Sequence, residues 1–143
     1  MADTLYSAAI LRLKLAGESA HRLPVADGTA TRVSPVCGSK IIADVMIAPD
    51  GRIAALALDG AKSCTLGQAS AAVAAQRAAG LDAAALGTLR TALADFLAGR
   101  SEIAPEGWAM FAPARPHRAR HPSILLPLDA VQAALAQAGQ VAA

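Results

Sequence analysis

Apolar and polar positions follow two periods along this chain. Lys40 to Ile47 (KIIADVMI) and Arg52 to Leu58 (RIAALAL) flank Ala48-Pro49-Asp50-Gly51. Pro49 suits an early turn position and Gly51 supplies a positive φ, so the segment predicts a β-hairpin. Ile41, Ala43, Val45 and Ile47 fall on one face of its first strand. Thr29 to Ser34 (TATRVS) is short and β-branched and predicts an edge strand. The pattern therefore predicts a three-stranded antiparallel sheet with one side covered by helices.

Elsewhere the period is helical. Leu5, Ala8, Ala9 and Leu15 predict a short amphipathic helix over Thr4 to Leu15, ended by Gly17. Residues 18–29 are polar and Gly/Pro-punctuated and read as a loop. Cys64 to Ala79 is rich in Ala and Ser and reads as a helix stopped by Gly80, close-packed on the sheet. Asp82 caps a second helix, in which Leu86, Leu89, Leu93 and Phe96 form the apolar stripe, and Gly99 closes it. Pro105 to Phe111 reads as one turn around Trp108, and Pro113 to Pro122 as a basic loop. Ser123 to Gln137 reads as the last helix, with Pro127 tolerable in its first turn. The small apolar tail reads as frayed.

Composition narrows the class. A chain of 143 residues fits one domain spanning 1–143. Hydrophobic residues at 55% against 17% charged exclude a disordered chain. About a quarter of the residues are alanine, which favours helix. Aromatics at 3% leave few stacking platforms for nucleic acid, and a net charge of +2 is too weak to argue for one by field. Uncharged runs such as Ser63 to Gln76 fall short of the ~20 residues a membrane span needs. Asp3, Arg12 and Lys14 interrupt any secretory pattern near the start. The expectation is a soluble cytoplasmic protein with reduced thiols and neither nucleic-acid nor membrane partners.

Candidate chemistry centres on two cysteines. Cys37 precedes the hairpin and Cys64 follows it, so both are expected at one end of the sheet. Cys64 also starts a helix, where unpaired N–H groups and the macrodipole favour thiolate over thiol. Either residue can equally be a small buried hydrophobe, as free cysteines often are. His117 and His121 are possible metal ligands. The run Arg115, His117, Arg118, Arg120 and His121 reads as a solvated loop or a docking surface. There is no Gly-rich nucleotide loop, paired CxxC or HExxH, and no nucleophile-elbow motif.

Three segments resemble the IscU/SufU/NifU N-terminal family of iron–sulfur cluster assembly scaffolds. Leu5-Tyr6-Ser7-Ala8-Ala9-Ile10-Leu11 is similar to the family's opening helix. Ser34-Pro35-Val36-Cys37-Gly38-Ser39 is similar to Asn-Pro-x-Cys-Gly-Asp. Cys64-Thr65-Leu66-Gly67-Gln68-Ala69-Ser70-Ala71 is similar to Cys-x-Ile-Ser-x-Ala-Ser-x. Ser123 to Ala134 lines up without gaps on the family's third-cysteine helix. The resemblance covers essentially the whole chain. It implies an α+β fold: a three-stranded antiparallel sheet with helices packed on one face and at the ends. It also implies a non-enzymatic scaffold that assembles a 2Fe–2S cluster from iron and desulfurase-derived sulfur and hands it on. Some members hold zinc instead. The implied partners are a cysteine desulfurase and acceptor or chaperone proteins, with Arg115, Arg118 and Arg120 at the docking position.

The ligand set departs from the family's. Ser39 stands where the aspartate belongs, and Ser123 at the third cysteine. Pro122 takes the preceding position, often histidine or lysine, and His121 is one residue out of register. Cys37 and Cys64 remain as metal ligands, with His121 a possible third and Ser39 and Ser123 lining the site. Two thiolates and an imidazole make a sensible zinc site with an open position. They do not make a stable cluster site within one chain, since a 2Fe–2S cluster usually takes four protein ligands. Two chains could share one. The alternatives are a degenerate, zinc-bound or partner-binding relative, and a sulfur-transfer protein accepting persulfide on Cys37.

Overall fold

The hairpin forms where its turn residues demand it. In the computed structural model, which describes residues 5–18, 22–35 and 38–142, β2 spans Lys40–Ile47 and β3 spans Ile53–Asp59. Gly51, at φ 87°, donates its N–H to Ala48 at 2.9 Å and closes the turn. β1 (Gly28–Val33) pairs with β2, giving an antiparallel sheet in the order β1-β2-β3 with β1 at an edge as expected. Ile41, Ala43 and Val45 are fully buried on the face that the helices cover.

Four helices surround this sheet: α1 (Ala8–Glu18), α2 (Thr65–Arg77), α3 (Ala83–Ala98) and α4 (His121–Ala142). α4 packs across β1 and β2, α2 runs beside β3, and α1 lies against α2. The fold is α+β, as predicted. Asp82 caps α3 by accepting the Ala85 N–H at 2.8 Å, and Gly99 ends it in the left-handed region at φ 84°. Leu86, Leu93 and Phe96 are buried, with Leu89 partly so.

Four boundaries differ from expectation. α1 starts at Ala8 because Ser7 Oγ accepts the Ile10 N–H at 3.2 Å, and it runs through Gly17 to Glu18. Its buried face carries Ile10, whereas Leu11 and Leu15 are exposed, so the expected stripe is rotated. The basic segment is no simple loop: it coils into 3-10 turns at Ala109–Ala114 and Arg118–Arg120. α4 consequently begins at His121, which puts Pro127 in its second turn.

The C-terminal tail continues as helix to Ala142 instead of fraying. Its close seat on β1 depends on Gly28. A Cβ there would strike the Ala134 carbonyl oxygen and lie 2.8 Å from Ala138 Cβ.

The sheet's other face holds an ion pair whose carboxylate is buried while its arginine is about half exposed. Asp44 alternates away from Val45, yet it is 1% exposed because residues 22–23 lie over it. Its carboxylate accepts from Arg22 Nε (2.6 Å) and Nη2 (2.9 Å), Leu23 N (3.1 Å) and Thr29 Oγ1 (2.7 Å).

Candidate functional site

Cys64 is the N-cap of α2. Its backbone is extended (φ −71°, ψ 171°) and its free thiol sulfur accepts the Gly67 N–H at 3.5 Å. The Cys64 N–H donates to Ser39 Oγ at 3.1 Å. Ser39, buried at 4% exposure, thus links the hairpin to the helix cap. The loop before β2 is closed by the Ser34 N–H to Ser39 O and the Gly38 N–H to Ser34 O, both at 2.8 Å. Cys37 lies outside the described residues, and so does its expected approach to Cys64.

Ser123 reaches the same neighbourhood from α4. It is 2% exposed, and its carbonyl oxygen lies 3.5 Å from the Cβ position of Gly67. Pro127 has no N–H to return to that carbonyl, so the helical ladder is open there. The next carbonyl, of Ile124, accepts Ser70 Oγ at 2.6 Å, and Trp108 Nε1 donates to the same hydroxyl at 3.0 Å. Trp108, Ser70 and Ile124 are all fully buried. This bridge sets the start of α4 against the cap of α2. The sequence places Trp108 in a short turn but does not show its polar role or that of Ser70. The sequence signal is the series of small residues Gly67, Ser70 and Ala74 along one helical face.

The remaining candidates are placed differently. His121 Nε2 donates to the Ala114 carbonyl at 2.9 Å, which leaves Nδ1 as the ring's lone-pair nitrogen. Arg115 turns inward. Its guanidinium stacks 4.7 Å above Phe96, donates to the Phe96 carbonyl at 2.7 Å and the Ser101 carbonyl at 3.0 Å, and pairs with Glu102 at 2.7 Å. The hydrogen bond from Arg115 holds the Glu102 carboxyl below its ordinary range. Arg118 and Arg120 are exposed, and Arg120 Nη1 donates to Tyr6 Oη at 3.1 Å. Among the described residues, no three His, Cys, Asp or Glu side chains form a ligand cluster. In the same residues no helix is long and apolar enough to cross a membrane.

A helix-capping thiol has a measurable consequence. Cys64 is expected to react with iodoacetamide at neutral pH faster than a cysteine in an unfolded peptide, because the Gly67 N–H stabilises negative charge on sulfur. Alkylation of the Cys37→Ser variant, followed by mass spectrometry, checks this. A thiol inert until denaturation contradicts it.

Solved structures share this fold. The N-terminal part of a nitrogen-fixing NifU-like protein from Brucella abortus matches at 33% identity and TM-score 0.85, covering 95% of each chain. The chain therefore belongs to the NifU-like N-terminal family, of the IscU/SufU/NifU type. A putative iron–sulfur cluster assembly scaffold protein for the SUF system from Fervidobacterium islandicum shares the fold at 17% identity and TM-score 0.78, over 92% of this chain and 96% of that one. A hypothetical protein shares it at 18% identity and TM-score 0.71, over 92% and 97%. A scan of family models and a search of curated proteins return no match.

Proposed function

We propose that this protein is an iron–sulfur scaffold with a reduced ligand set, holding iron or a 2Fe–2S cluster as transient cargo on Cys37 and Cys64. The observation that carries this reading is a NifU-like fold with a cysteine at the α2 cap whose N–H is held by Ser39, the residue that by resemblance takes the place of the family's aspartate. The Gly67 N–H donates to the Cys64 sulfur, a contact that favours a metal-bound thiolate there. Ser39 spends its hydroxyl as an acceptor for the Cys64 N–H, so it orients the cap more than it offers itself as a ligand. A ligand set this short suits loading and release better than storage. Zinc is the second reading, because two thiolates with His121 and water satisfy tetrahedral zinc. The partners would be a cysteine desulfurase and a cluster acceptor or chaperone, met through the exposed Arg118 and Arg120. Arg115, tied inward, would shape that surface from beneath.

Anaerobic reconstitution with ferrous iron and sulfide tests the ligands. Cys37→Ser and Cys64→Ser should each lose most of the bound iron and the visible sulfur-to-iron absorption. Full retention by both variants would overturn the reading.

A further inference from the structure

The sheet is open along part of β1. The bond from the Ser34 N–H to the Ser39 carbonyl falls on the β1–β2 register. Every second residue back from Ser34, Arg32 and Ala30, therefore turns its backbone groups toward β2, and Thr29, Thr31 and Val33 turn theirs outward. The Thr29 N–H is taken by Gln137 Oε1 at 3.1 Å, and Pro35 ends the edge at its other side. Between these ends, the N–H groups of Thr31 and Val33 and the Val33 carbonyl have no partner among the described residues. The Thr31 carbonyl accepts only from its neighbour, Arg32 Nη1, at 3.4 Å. At the sheet's opposite edge, Ile53 of β3 exchanges bonds with Gly80 and Leu81, both at 2.9 Å.

A cleft of about 610 Å³ runs beside this open stretch, between the end of β1 and α4. Leu125 and Ala133 lie on its α4 wall, and Arg32 and Val33 on its β1 wall. Val33 is 54% exposed. The charge in the cleft is unbalanced: Arg90 pairs with Asp129 at 2.8 Å, but among the described residues no carboxylate pairs with Arg32. Ser34 also lines the cleft, is 1% exposed, and its Oγ has no hydrogen-bond partner. An open strand edge is a template for pairing with another chain. Here the slot beside it has the width of a single chain, and its uncompensated charge is positive. A second copy of this protein would bring its own α4 and another Arg32 to the same place, so a lone extended segment with negative charge is the better match.

We propose that the β1 edge and this cleft bind an extended, acidic segment of a partner protein, which adds to the sheet as an antiparallel fourth strand. Partner residues opposite Thr31 and Val33 exchange backbone hydrogen bonds with them. Partner residues opposite Ala30, Arg32 and Ser34 share the α4 face and enter the cleft. A carboxylate opposite Arg32 meets the unpaired guanidinium, and apolar side chains on either side of it meet Leu125 and Ala133. The interaction requires neither cysteine nor metal, so it stands or falls apart from the scaffold reading.

The test is an NMR titration of the metal-free protein with an acetylated and amidated peptide of pattern valine-threonine-glutamate-threonine-valine. The Thr31 and Val33 amides should shift. N-methylation of both threonines, whose N–H groups face β1 in this register, should weaken binding at least tenfold. N-methylation of the glutamate, whose N–H faces away, should leave binding nearly unchanged. Arg32→Glu should weaken binding at least tenfold, and a peptide with lysine in place of glutamate should bind this variant more tightly than it binds the parent. Thr31→Pro removes an N–H that does not serve the β1–β2 pairing, so it should keep the parent's melting temperature and lose the peptide. The charge exchange at Arg32 decides the matter if that variant fails to fold. No shifts at millimolar peptide, or binding indifferent to threonine N-methylation, overturns the strand addition. Equal affinity of the parent for the glutamate and lysine peptides overturns the acidic partner. A dimer in sedimentation equilibrium that Thr31→Pro dissolves gives the edge to a second copy and overturns the proposal.

Discussion

Changing Ser39 to aspartate and Ser123 to cysteine together should raise zinc affinity by well over tenfold, or about 1.4 kcal/mol and more. Both positions are close to the Cys64 cap: Ser39 through its hydrogen bond, Ser123 through the approach of its carbonyl to Gly67. An aspartate at 39 can keep accepting the Cys64 N–H with one oxygen and offer the other to a metal. A cysteine at 123 is nearly isosteric with serine and adds a thiolate, which zinc and iron prefer to a hydroxyl. The buried Trp108–Ser70–Ile124 bridge already fixes that turn of α4. Competition with a chromophoric chelator at fixed pH measures the gain, since ligand deprotonation makes affinity pH-dependent. Unchanged affinity would mean that residues 39 and 123 do not face the site.

Asp44→Ala should cost about 3 kcal/mol of stability, because it strands the Leu23 N–H and Thr29 hydroxyl and frees Arg22 from its pair. In a chain of this size that lowers Tm by about 6–12 °C. The pH dependence has a definite sign. The hydrogen bond from Arg22 holds the Asp44 carboxyl below its ordinary value, outweighing the opposing effect of burial. Its contribution is therefore fully present above the unfolded value of about 4 and is lost as pH falls through the lower folded value. Asp44→Asn should accordingly be less stable than the parent at pH 7, with the gap closing under acid. Urea melts of both proteins at pH 7 and at successively lower pH measure it, and a gap independent of pH would contradict the pairing.

What could be read from the sequence was local. The hairpin, the Asp82 cap and the Gly99 stop each depend on a few adjacent residues whose backbone preferences agree. Cys64 as a helix cap belongs to the same category. What escaped depends on distant contacts. Ile10 faces inward and Leu11 outward because α1 seats on α2, which its own pattern does not specify. Asp44 resembles a solvent-facing strand residue until residues 22–23 fold over it. Arg115 belongs to a basic run in sequence, but Phe96 and Glu102 draw it inward. His121 is a plausible ligand by type, yet one ring nitrogen is committed to Ala114. α4 closes on β1 because Gly28 leaves room for the Ala134 carbonyl, and no periodicity announces it.

Isolation of the unaltered protein under nitrogen, with iron, zinc, acid-labile sulfide and sulfane sulfur measured alongside the absorption spectrum, tests the scaffold reading most directly. Iron and sulfide in equal amounts, with visible sulfur-to-iron bands that Cys37→Ser and Cys64→Ser each abolish, is the predicted result. Zinc alone, or sulfane sulfur without any metal, would contradict it.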